Sequence, residues 1–315
     1  MTGKQGGMED GALLESAPCP LCGTTEFAVL EPAAYPPGLT RDRILAIYSA
    51  SSATVLLDQL VRCSSCDLIH LTPRIRQDLI LESYANAVDP AFIAQNPLRI
   101  RTFRRQLRRL ADRHGLPAGA RVLDVGCAGG AFPKAAADLG FRVVGVEPSR
   151  WLAQQAAQTY GLDIRPGILE EQQFTPASFD MITLWDVIEH LTDPQGVLRQ
   201  IHSLLAPSGL LVVNYPDHAS LARRLLGDRW PFFLSVHLIY FTPVTLDRML
   251  QINGFRVLEQ RPYWQTLELG YALQRAAAGL RAFSFLGQGI SLLGLDRLPL
   301  TYTMGQTLAV ARKPS

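Results

Sequence analysis

The strongest constraint on the fold is a glycine-rich turn that separates a buried strand from a helix. Residues 121–126 form an apolar run that predicts the strand, Gly129 and Gly130 close the turn, and a helix is predicted over 132–139. A second strand over 142–147 and a second helix over 151–160 follow. Strands that alternate with helices in this order predict an α/β fold, with a parallel sheet covered by helices on both faces.

The same alternation continues along the chain and sets the expected domain boundaries. Further strands are predicted over 179–187, 210–215, 255–260 and 303–312, with helices over 194–205 and 242–253. We expect an α/β domain over 116–315 with an apolar helical insertion at 267–299. Ahead of it we expect a flexible tail over 1–17, a small module over 18–75 with an inserted helix at 41–50, and a helical linker over 76–115.

Four of the five cysteines form two C-x-x-C pairs in the small module. The pairs are Cys19 with Cys22 and Cys63 with Cys66. Each pair lies on a turn that lets both sulfurs reach one ion, and four thiolates complete the closed tetrahedral shell of a structural Zn²⁺. A redox pair or a coincidence of spacing is the alternative. We expect a cytoplasmic protein, and in that reducing compartment paired thiols bind metal rather than form disulfides.

Two carboxylates near the glycine turn indicate a nucleoside cofactor. Glu147 ends the second strand, where a carboxylate can accept hydrogen bonds from ribose hydroxyls. Asp124 precedes Gly126 by two residues, where it would repel a dinucleotide pyrophosphate and attract the ammonium group of an aminoacyl cofactor. This favours S-adenosylmethionine. The alternative is a structural turn that binds nothing.

Three motifs of this region resemble those of the class I S-adenosylmethionine-dependent methyltransferases. They are Asp124-x-Gly126-x-Ala128-x-Gly130, Glu147-Pro148-Ser149 and the run from Ser178 to His190, with Ala128 where that family usually has glycine. The resemblance implies a Rossmann-like seven-stranded sheet whose last strand is antiparallel. It also implies cofactor contacts, with Asp124, Gly126 and Gly130 at the methionine portion, Glu147 at the ribose, Leu169 and Glu170 at the adenine, and Trp185 and Asp186 at the sulfonium.

The cysteine module resembles the zinc-binding leader of bacterial methyltransferases that act on sugars and glycan precursors. The matching segments are Cys19 to Gly23 and Val61 to Arg74. The resemblance implies O-methylation, or with less support C-methylation, of a sugar on a nucleotide-linked, lipid-linked or natural-product precursor. Methylation of a quinone or phenol hydroxyl is the nearest alternative.

Two histidines are candidates for the base that a hydroxyl acceptor requires. His190 follows the fourth strand beside the expected sulfonium, and His237 lies in the segment that covers the acceptor in related enzymes. Asp186, Glu189 and His190 also resemble a pattern of ubiquinone-pathway O-methyltransferases, in which these positions can hold a divalent cation such as Mg²⁺. The alternative is a purely structural role for both histidines.

Charge and motif content argue against two other classes of function. A formal net charge of +2 gives no general attraction for nucleic acid, so a nucleic-acid-binding modifier is not favoured. A NAD-dependent oxidoreductase or epimerase is not favoured either, because the sequence lacks a Tyr-x-x-x-Lys pair. The apolar insertion and an arginine face over 99–113 would allow peripheral membrane contact. The alternative is that the insertion is a helical pair that caps the acceptor pocket and that the arginines form a solvated helix face.

Overall fold

A computed structural model describes residues 13–38, 40–48, 54–277 and 293–314. Its strands are β1 Leu14–Glu15, β2 Phe27–Glu31, β3 Leu60–Cys63, β4 Ile69–Leu71, β5 Arg74–Ile75, β6 Arg121–Val125, β7 Arg142–Glu147, β8 Asp163–Pro166, β9 Phe179–Trp185, β10 Leu205–Pro216, β11 Ile239–Tyr240, β12 Arg256–Pro262, β13 Gln265–Glu268, β14 Pro299–Tyr302 and β15 Gln306–Arg312. Its helices are α1 Arg41–Ile47, α2 Gln77–Ala85, α3 Pro90–Ala94, α4 Asn96–His114, α5 Ala131–Asp138, α6 Arg150–Tyr160, α7 Pro194–Leu204, α8 Leu221–Leu226, α9 Pro243–Ile252 and α10 Leu269–Ala277.

The largest sheet in the described part of the chain has seven strands in the order β12-β15-β10-β9-β6-β7-β8. Strands β6 to β10 pair in parallel, whereas β15 runs antiparallel to both β10 and β12. This confirms the predicted α/β class and the seven-stranded sheet with its antiparallel last strand. The carboxyl ends of β6, β7 and β9 meet at one edge, and a ligand crevice is expected there.

The central strands form because both faces of the sheet are covered. Val122 and Leu123 on β6 and Ile182 and Leu184 on β9 are fully buried. Parallel strands that are buried on both faces read as continuous apolar runs, and this is why their boundaries were predictable. Strand β10 begins five residues ahead of the predicted start at 210, with a register shift between Leu205 and Leu210.

A second sheet carries the cysteine module and has the order β11-β4-β3-β2. Three of its strands come from residues 27–71. The fourth, β11, comes from residues 239–240, which follow the parallel strands β6 to β10 in the sequence. Strand β11 pairs antiparallel with β4, with Ile239 opposite His70. The module and the α/β domain therefore share a sheet.

The remaining predicted segments are described in part. The inserted helix predicted at 41–50 is observed as α1, and Thr40 caps its first turn. Of the expected tail, residues 1–12 lie outside the described residues, and β1 pairs with β5. The expected insertion at 267–299 contains α10 and the start of β14, while 278–292 lie outside the described residues. Among the residues that are described, no helix combines the length and hydropathy needed to cross a bilayer.

Candidate cofactor and acceptor site

A cavity of about 520 Å³ opens at the carboxyl ends of β6, β7 and β9. A volume of this size is typical of sites for small organic ligands. Its lining brings together most of the residues predicted from the sequence, namely Asp124, Gly126, Glu147, Leu169, Glu170, Trp185, Asp186, His190 and His237. Gly130 lies just behind this lining, at the start of α5.

Asp124 lies at the floor of the cavity, at the end of β6. Its side chain is 1% exposed and accepts a hydrogen bond of 2.6 Å from the hydroxyl of Thr183. Burial raises the pKa of Asp124 well above its usual value, and the nearby Glu147 raises it further. A cationic group brought into the cavity would favour the ionised carboxylate. This position therefore suits the ammonium group of an amino acid.

Glu147 is oriented by two main-chain amides. One carboxylate oxygen accepts from the N–H of Ala128 at 2.7 Å, and the other accepts from the N–H of Ser149 at 2.9 Å. Burial raises the pKa of Glu147 to about 7 in spite of these two bonds. Each carboxylate oxygen has a second lone pair. The fixed carboxylate could therefore accept two further hydrogen bonds from a diol.

The glycines of the turn are required by the packing of the protein itself. Gly126 has a φ of 71°, and an added Cβ would lie 2.6 Å from a methyl group of Val187. Gly130 has a φ of 75°, and its Cβ would lie 2.8 Å from that of Ala156. Ala128 also adopts a left-handed conformation, with a φ of 46°. The turn therefore needs small residues even before a cofactor is considered.

Trp185 ends β9 and Asp186 follows it, and the two residues play different structural roles. The Trp185 ring is largely buried, with its centroid 4.9 Å from that of Phe103 and 5.3 Å from that of Phe132. Asp186 is exposed to the cavity, and one of its carboxylate oxygens accepts from the side-chain amides of Asn214 and Gln306, each at 2.7 Å. The carboxylate is thus fixed at the junction of β9, β10 and β15.

The expected adenine contacts also line the cavity. Leu169 and Glu170 belong to a 3-10 turn over Leu169–Glu171. Leu169 is buried, whereas Glu170 is exposed. The pair offers one apolar wall and one solvated carboxylate.

A second chemical cluster in the cavity consists of Glu189, His190 and His237. The candidate ligand atoms of these three side chains lie within 4.8 Å of one another. The Nδ1 atom of His190 lies 2.8 Å from the carbonyl of Val236, and that of His237 lies 2.7 Å from the carbonyl of Phe232. Because a carbonyl only accepts, Nδ1 carries a proton in each ring, so that a neutral ring has its lone pair at Nε2. This arrangement of the rings is typical of histidines that bind metals.

Glu189 makes this cluster electrostatically unusual. Its side chain is 1% exposed, and neither oxygen has a hydrogen-bond partner among the described residues. Burial, followed by the charge of Asp186, raises the pKa of Glu189 well above its usual value. Burial also lowers the pKa of His190 to about 4, so that its ring is neutral at physiological pH. A buried carboxyl beside two imidazoles fits a divalent cation of intermediate softness better than Mg²⁺, which prefers oxygen ligands.

Several residues of the site had no signal in the sequence. The hydroxyl of Tyr84, on α2, lies 2.8 Å from Nδ1 of His190. Phe232 and Val236 line the cavity and supply the carbonyls that orient the two histidines. Tyr84 belongs to the expected helical linker, where nothing in the periodicity distinguishes it from a core residue. Thr183, the partner of Asp124, resembles any other strand threonine in the sequence.

The four cysteines of the module meet in space. Their sulfurs lie within 4.8 Å of one another, with separations of 3.5 Å between Cys19 and Cys66 and 3.4 Å between Cys22 and Cys63. A tetrahedral zinc with bonds of about 2.3 Å needs sulfurs about 3.8 Å apart. Burial raises the pKa of Cys19 to about 11, and a bound cation would reverse this shift. The donor set and its spacing therefore fit Zn²⁺.

Comparisons with known proteins agree with this geometry. Residues 95–260 match the family model described as a methyltransferase domain. The chain is 32% identical over 220 residues to a ubiquinone biosynthesis O-methyltransferase of Ruegeria pomeroyi, a match that covers 58% of this chain and 89% of that protein. It is 37% identical over 129 residues to the protein of the same name from Caulobacter sp. strain K31, covering 38% of this chain and about half, 51%, of the relative.

A solved structure supports the fold. A methyltransferase candidate from Bacillus halodurans C-125 has a TM-score of 0.50 and 17% identity, and the alignment covers 67% of this chain and 100% of that one. The family match, the relatives and the seven-stranded sheet agree with one another. The chain therefore belongs to the methyltransferase domain family and is an S-adenosylmethionine-dependent methyltransferase.

Proposed function

We propose that the protein transfers the methyl group of S-adenosylmethionine to a hydroxyl of a phenol or quinol. The observation that carries this proposal is the cluster of Glu189, His190 and His237, which lines the same cavity as Asp124 and Glu147. In the reaction, the S–CH₃ bond breaks as the acceptor oxygen forms a bond to the methyl carbon, S-adenosylhomocysteine leaves with the bonding electron pair, and the hydroxyl proton passes to solvent. The relatives named above support this acceptor class rather than the sugar that the cysteine module suggested.

We place the cofactor in the half of the cavity nearest the glycine turn. Asp124 would bind the ammonium group, with Gly126 and Gly130 shaping the turn beside the methionine portion. Glu147 would accept from the ribose hydroxyls, since its two amide bonds leave one lone pair on each oxygen. Leu169 and Glu170 would border the adenine. Trp185 and Asp186 would lie at the sulfonium end, which directs the methyl group towards the histidine cluster.

We propose that the histidine cluster holds a divalent cation and not a free general base. A ring with a pKa of about 4 is a weak base at neutral pH, whereas a neutral imidazole is the form that binds metals. Glu189 would supply the negative charge, while the carbonyls of Val236 and Phe232 fix the two rings. A cation bound there would lower the pKa of the acceptor hydroxyl.

The lining of the cavity also favours a largely apolar acceptor. Its residues include Phe92, Leu267, Tyr271 and Leu300. A sugar offers hydroxyls in every direction, and each would lose hydrogen bonds with water against such walls. A flat aromatic ring with one or two hydroxyls would satisfy both the cation ligands and the apolar walls.

The test is a methylation assay with matched acceptors. The purified protein is given S-adenosylmethionine, one of Zn²⁺, Fe²⁺, Co²⁺, Mn²⁺ or Mg²⁺, and either a catechol, a hydroquinone or a nucleotide sugar, and S-adenosylhomocysteine is quantified. We expect product with the catechol or hydroquinone, and a loss of at least about tenfold when the cation is chelated. Methylation of the nucleotide sugar alone would contradict the proposal.

A further inference from the structure

We call the half of the cavity around Glu189, His190 and His237 the acceptor half. One of its walls is formed by residues 231–241, which we name the acceptor wall. Phe232, Val236 and His237 of this segment line the cavity. Residues 233–241 are buried throughout. The position of the wall therefore determines where His237 lies relative to Glu189 and His190.

The acceptor wall is bonded to the cysteine module through its second half. Strand β11 lies within the wall and pairs with β4, with Ile239 opposite His70. Beside this pairing, the amide of Leu71 donates to the carbonyl of Leu238 at 2.9 Å. The wall is thus an edge strand of the module's sheet, although it lies far from the module in sequence.

The first half of the wall is bonded to the module as well. The amide of Leu56 donates to the carbonyl of Phe233 at 3.1 Å, and the amide of Ser235 donates to the carbonyl of Thr54 at 3.3 Å. The hydroxyl of Ser235 accepts from the amide of Leu57 at 2.8 Å. Main-chain bonds on both sides of His237 therefore hold the wall against residues 54–71.

The cysteines lie at the turn from which this support extends. Cys63 is the last residue of β3, and Cys66 lies three residues before the start of β4. The second C-x-x-C pair is thus the turn that joins β3 to β4, closed by a bond from the amide of Cys63 to the carbonyl of Leu68. An ion bound to all four sulfurs would fix this turn, and β4 carries the constraint to β11.

The cofactor half is supported differently. Asp124 and Glu147 end β6 and β7, which lie inside the seven-stranded sheet. The turn beside them is closed by the amides of Gly126 and Cys127, which both donate to the carbonyl of Val146. These bonds do not pass through the four-stranded sheet. We call the four cysteines and the ion they would bind the cysteine centre. A change in this centre would therefore affect the two halves of the cavity unequally.

We propose that the cysteine centre positions the acceptor wall, so that loss of its zinc loosens the acceptor half of the cavity while the cofactor half stays formed. This role goes beyond holding a small module together. The inference rests on the proposed function only because that function assigns this half of the cavity to the acceptor. Positioning through a shared sheet requires no direct contact between the zinc and the acceptor.

The test measures each half of the cavity in the full chain. Zinc is removed with a chelator, or its binding is weakened by Cys22→Ser at the exposed cysteine of the centre. Amide hydrogen exchange is then followed at Leu56, Leu71 and Ser235, the donors across the junction, and at Gly126 and Cys127 in the cofactor turn. Binding of S-adenosylhomocysteine is measured by calorimetry.

We expect exchange at the three junction amides to accelerate at least about tenfold, with the cofactor-turn amides unchanged and the Kd for S-adenosylhomocysteine within about threefold. Restoring zinc to the chelated protein reverses the effect. Val29→Thr, on the far edge strand β2, is the matched control and leaves the junction protected. Ser235→Ala should loosen the junction while zinc stays bound at one ion per chain.

Two results would overturn the proposal. In one, the zinc-free protein keeps full protection at the junction, which would show that the centre does not position the wall. In the other, protection and S-adenosylhomocysteine binding are lost together, which would show general unfolding. Because neither readout uses an acceptor, they remain informative if no phenol or quinol proves to be methylated.

Discussion

Replacing Glu147 with glutamine tests the cofactor assignment most directly. The carboxylate accepts from the amides of Ala128 and Ser149, at 2.7 and 2.9 Å. A glutamine has one oxygen, so its NH₂ group must face one of these two amides, and it can no longer accept from both ribose hydroxyls. The lost hydrogen bonds to a charged acceptor are worth about 1.5–3 kcal/mol. We therefore expect the Kd for S-adenosylhomocysteine to rise about 10–100-fold.

The variant should remain folded because two effects on stability oppose each other. Burial raises the pKa of Glu147 from 4.5 to about 7, so the folded state favours the protonated form. The protonated carboxyl contributes about 3 kcal/mol to the free energy of unfolding. This contribution is fully present below pH 4.5 and is lost as the pH rises through 7. Glutamine avoids that loss at pH 8 but leaves one amide without its acceptor, at a cost of about 1–3 kcal/mol.

The assay is isothermal titration calorimetry with S-adenosylhomocysteine from pH 6 to pH 9. As the pH rises towards 7, the wild-type affinity should increase by up to about tenfold per pH unit, and above pH 7 it should level off. Proton release on binding should be detectable in buffers of different ionisation enthalpy. The glutamine variant should lose this pH dependence. Glu31→Gln, at an exposed position outside the cavity lining, is the control. An affinity for the Glu147 variant within twofold of wild type would refute the assignment.

Three further predictions follow from the geometry of the site. Glu189→Gln removes the charged ligand of the cluster, so cation affinity measured by titration should fall at least about tenfold, and unchanged affinity would contradict the proposed cation site. Gly126→Ala should lower the free energy of unfolding in urea by about 2–4 kcal/mol through left-handed strain and the Val187 contact, whereas Gly119→Ala, with the same φ of 71° but open space around it, should lower it by about 1–2 kcal/mol. Tyr84→Phe removes the hydroxyl beside His190, and should lower kcat about three- to tenfold with cofactor affinity unchanged; a matching loss of cofactor affinity would indicate a general packing role.

Much of the large sheet could be predicted because its signals are local. Strand β7 was predicted over the observed residues 142–147, and β6, β9 and α7 agree with prediction to within two residues. The short strand β8 was not predicted, since its sequence of Asp163 to Pro166 is polar and half-exposed at the sheet edge. Strand β11 has two residues and exists only through its pairing with β4, which no local pattern encodes.

The site was predictable where residue type and strand position coincide. Asp124, Glu147 and Asp186 each follow from an acidic residue at the end of a strand. The meeting of His190 with His237 could not be predicted, because it depends on how the acceptor wall packs against the 3-10 turn Ile188–His190, with the two rings 4.8 Å apart. The same long-range contact joins the cysteine module to the acceptor half.

The electrostatics of the cavity connect cofactor and cation binding to proton release. Asp124, Glu147 and Glu189 are all buried, and burial raises the pKa of each. Of the described residues that line the cavity, Arg99 alone carries a permanent positive charge, and its guanidinium lies over the ring of Phe92. Each acid therefore needs positive charge or hydrogen-bond donors from a ligand to stabilise its ionised form. An ammonium group at Asp124, ribose hydroxyls at Glu147 and a divalent cation at Glu189 each meet that need. Each binding step should then lower the pKa of the acid it contacts, and at Glu147, whose pKa is about 7, it should release protons near neutral pH.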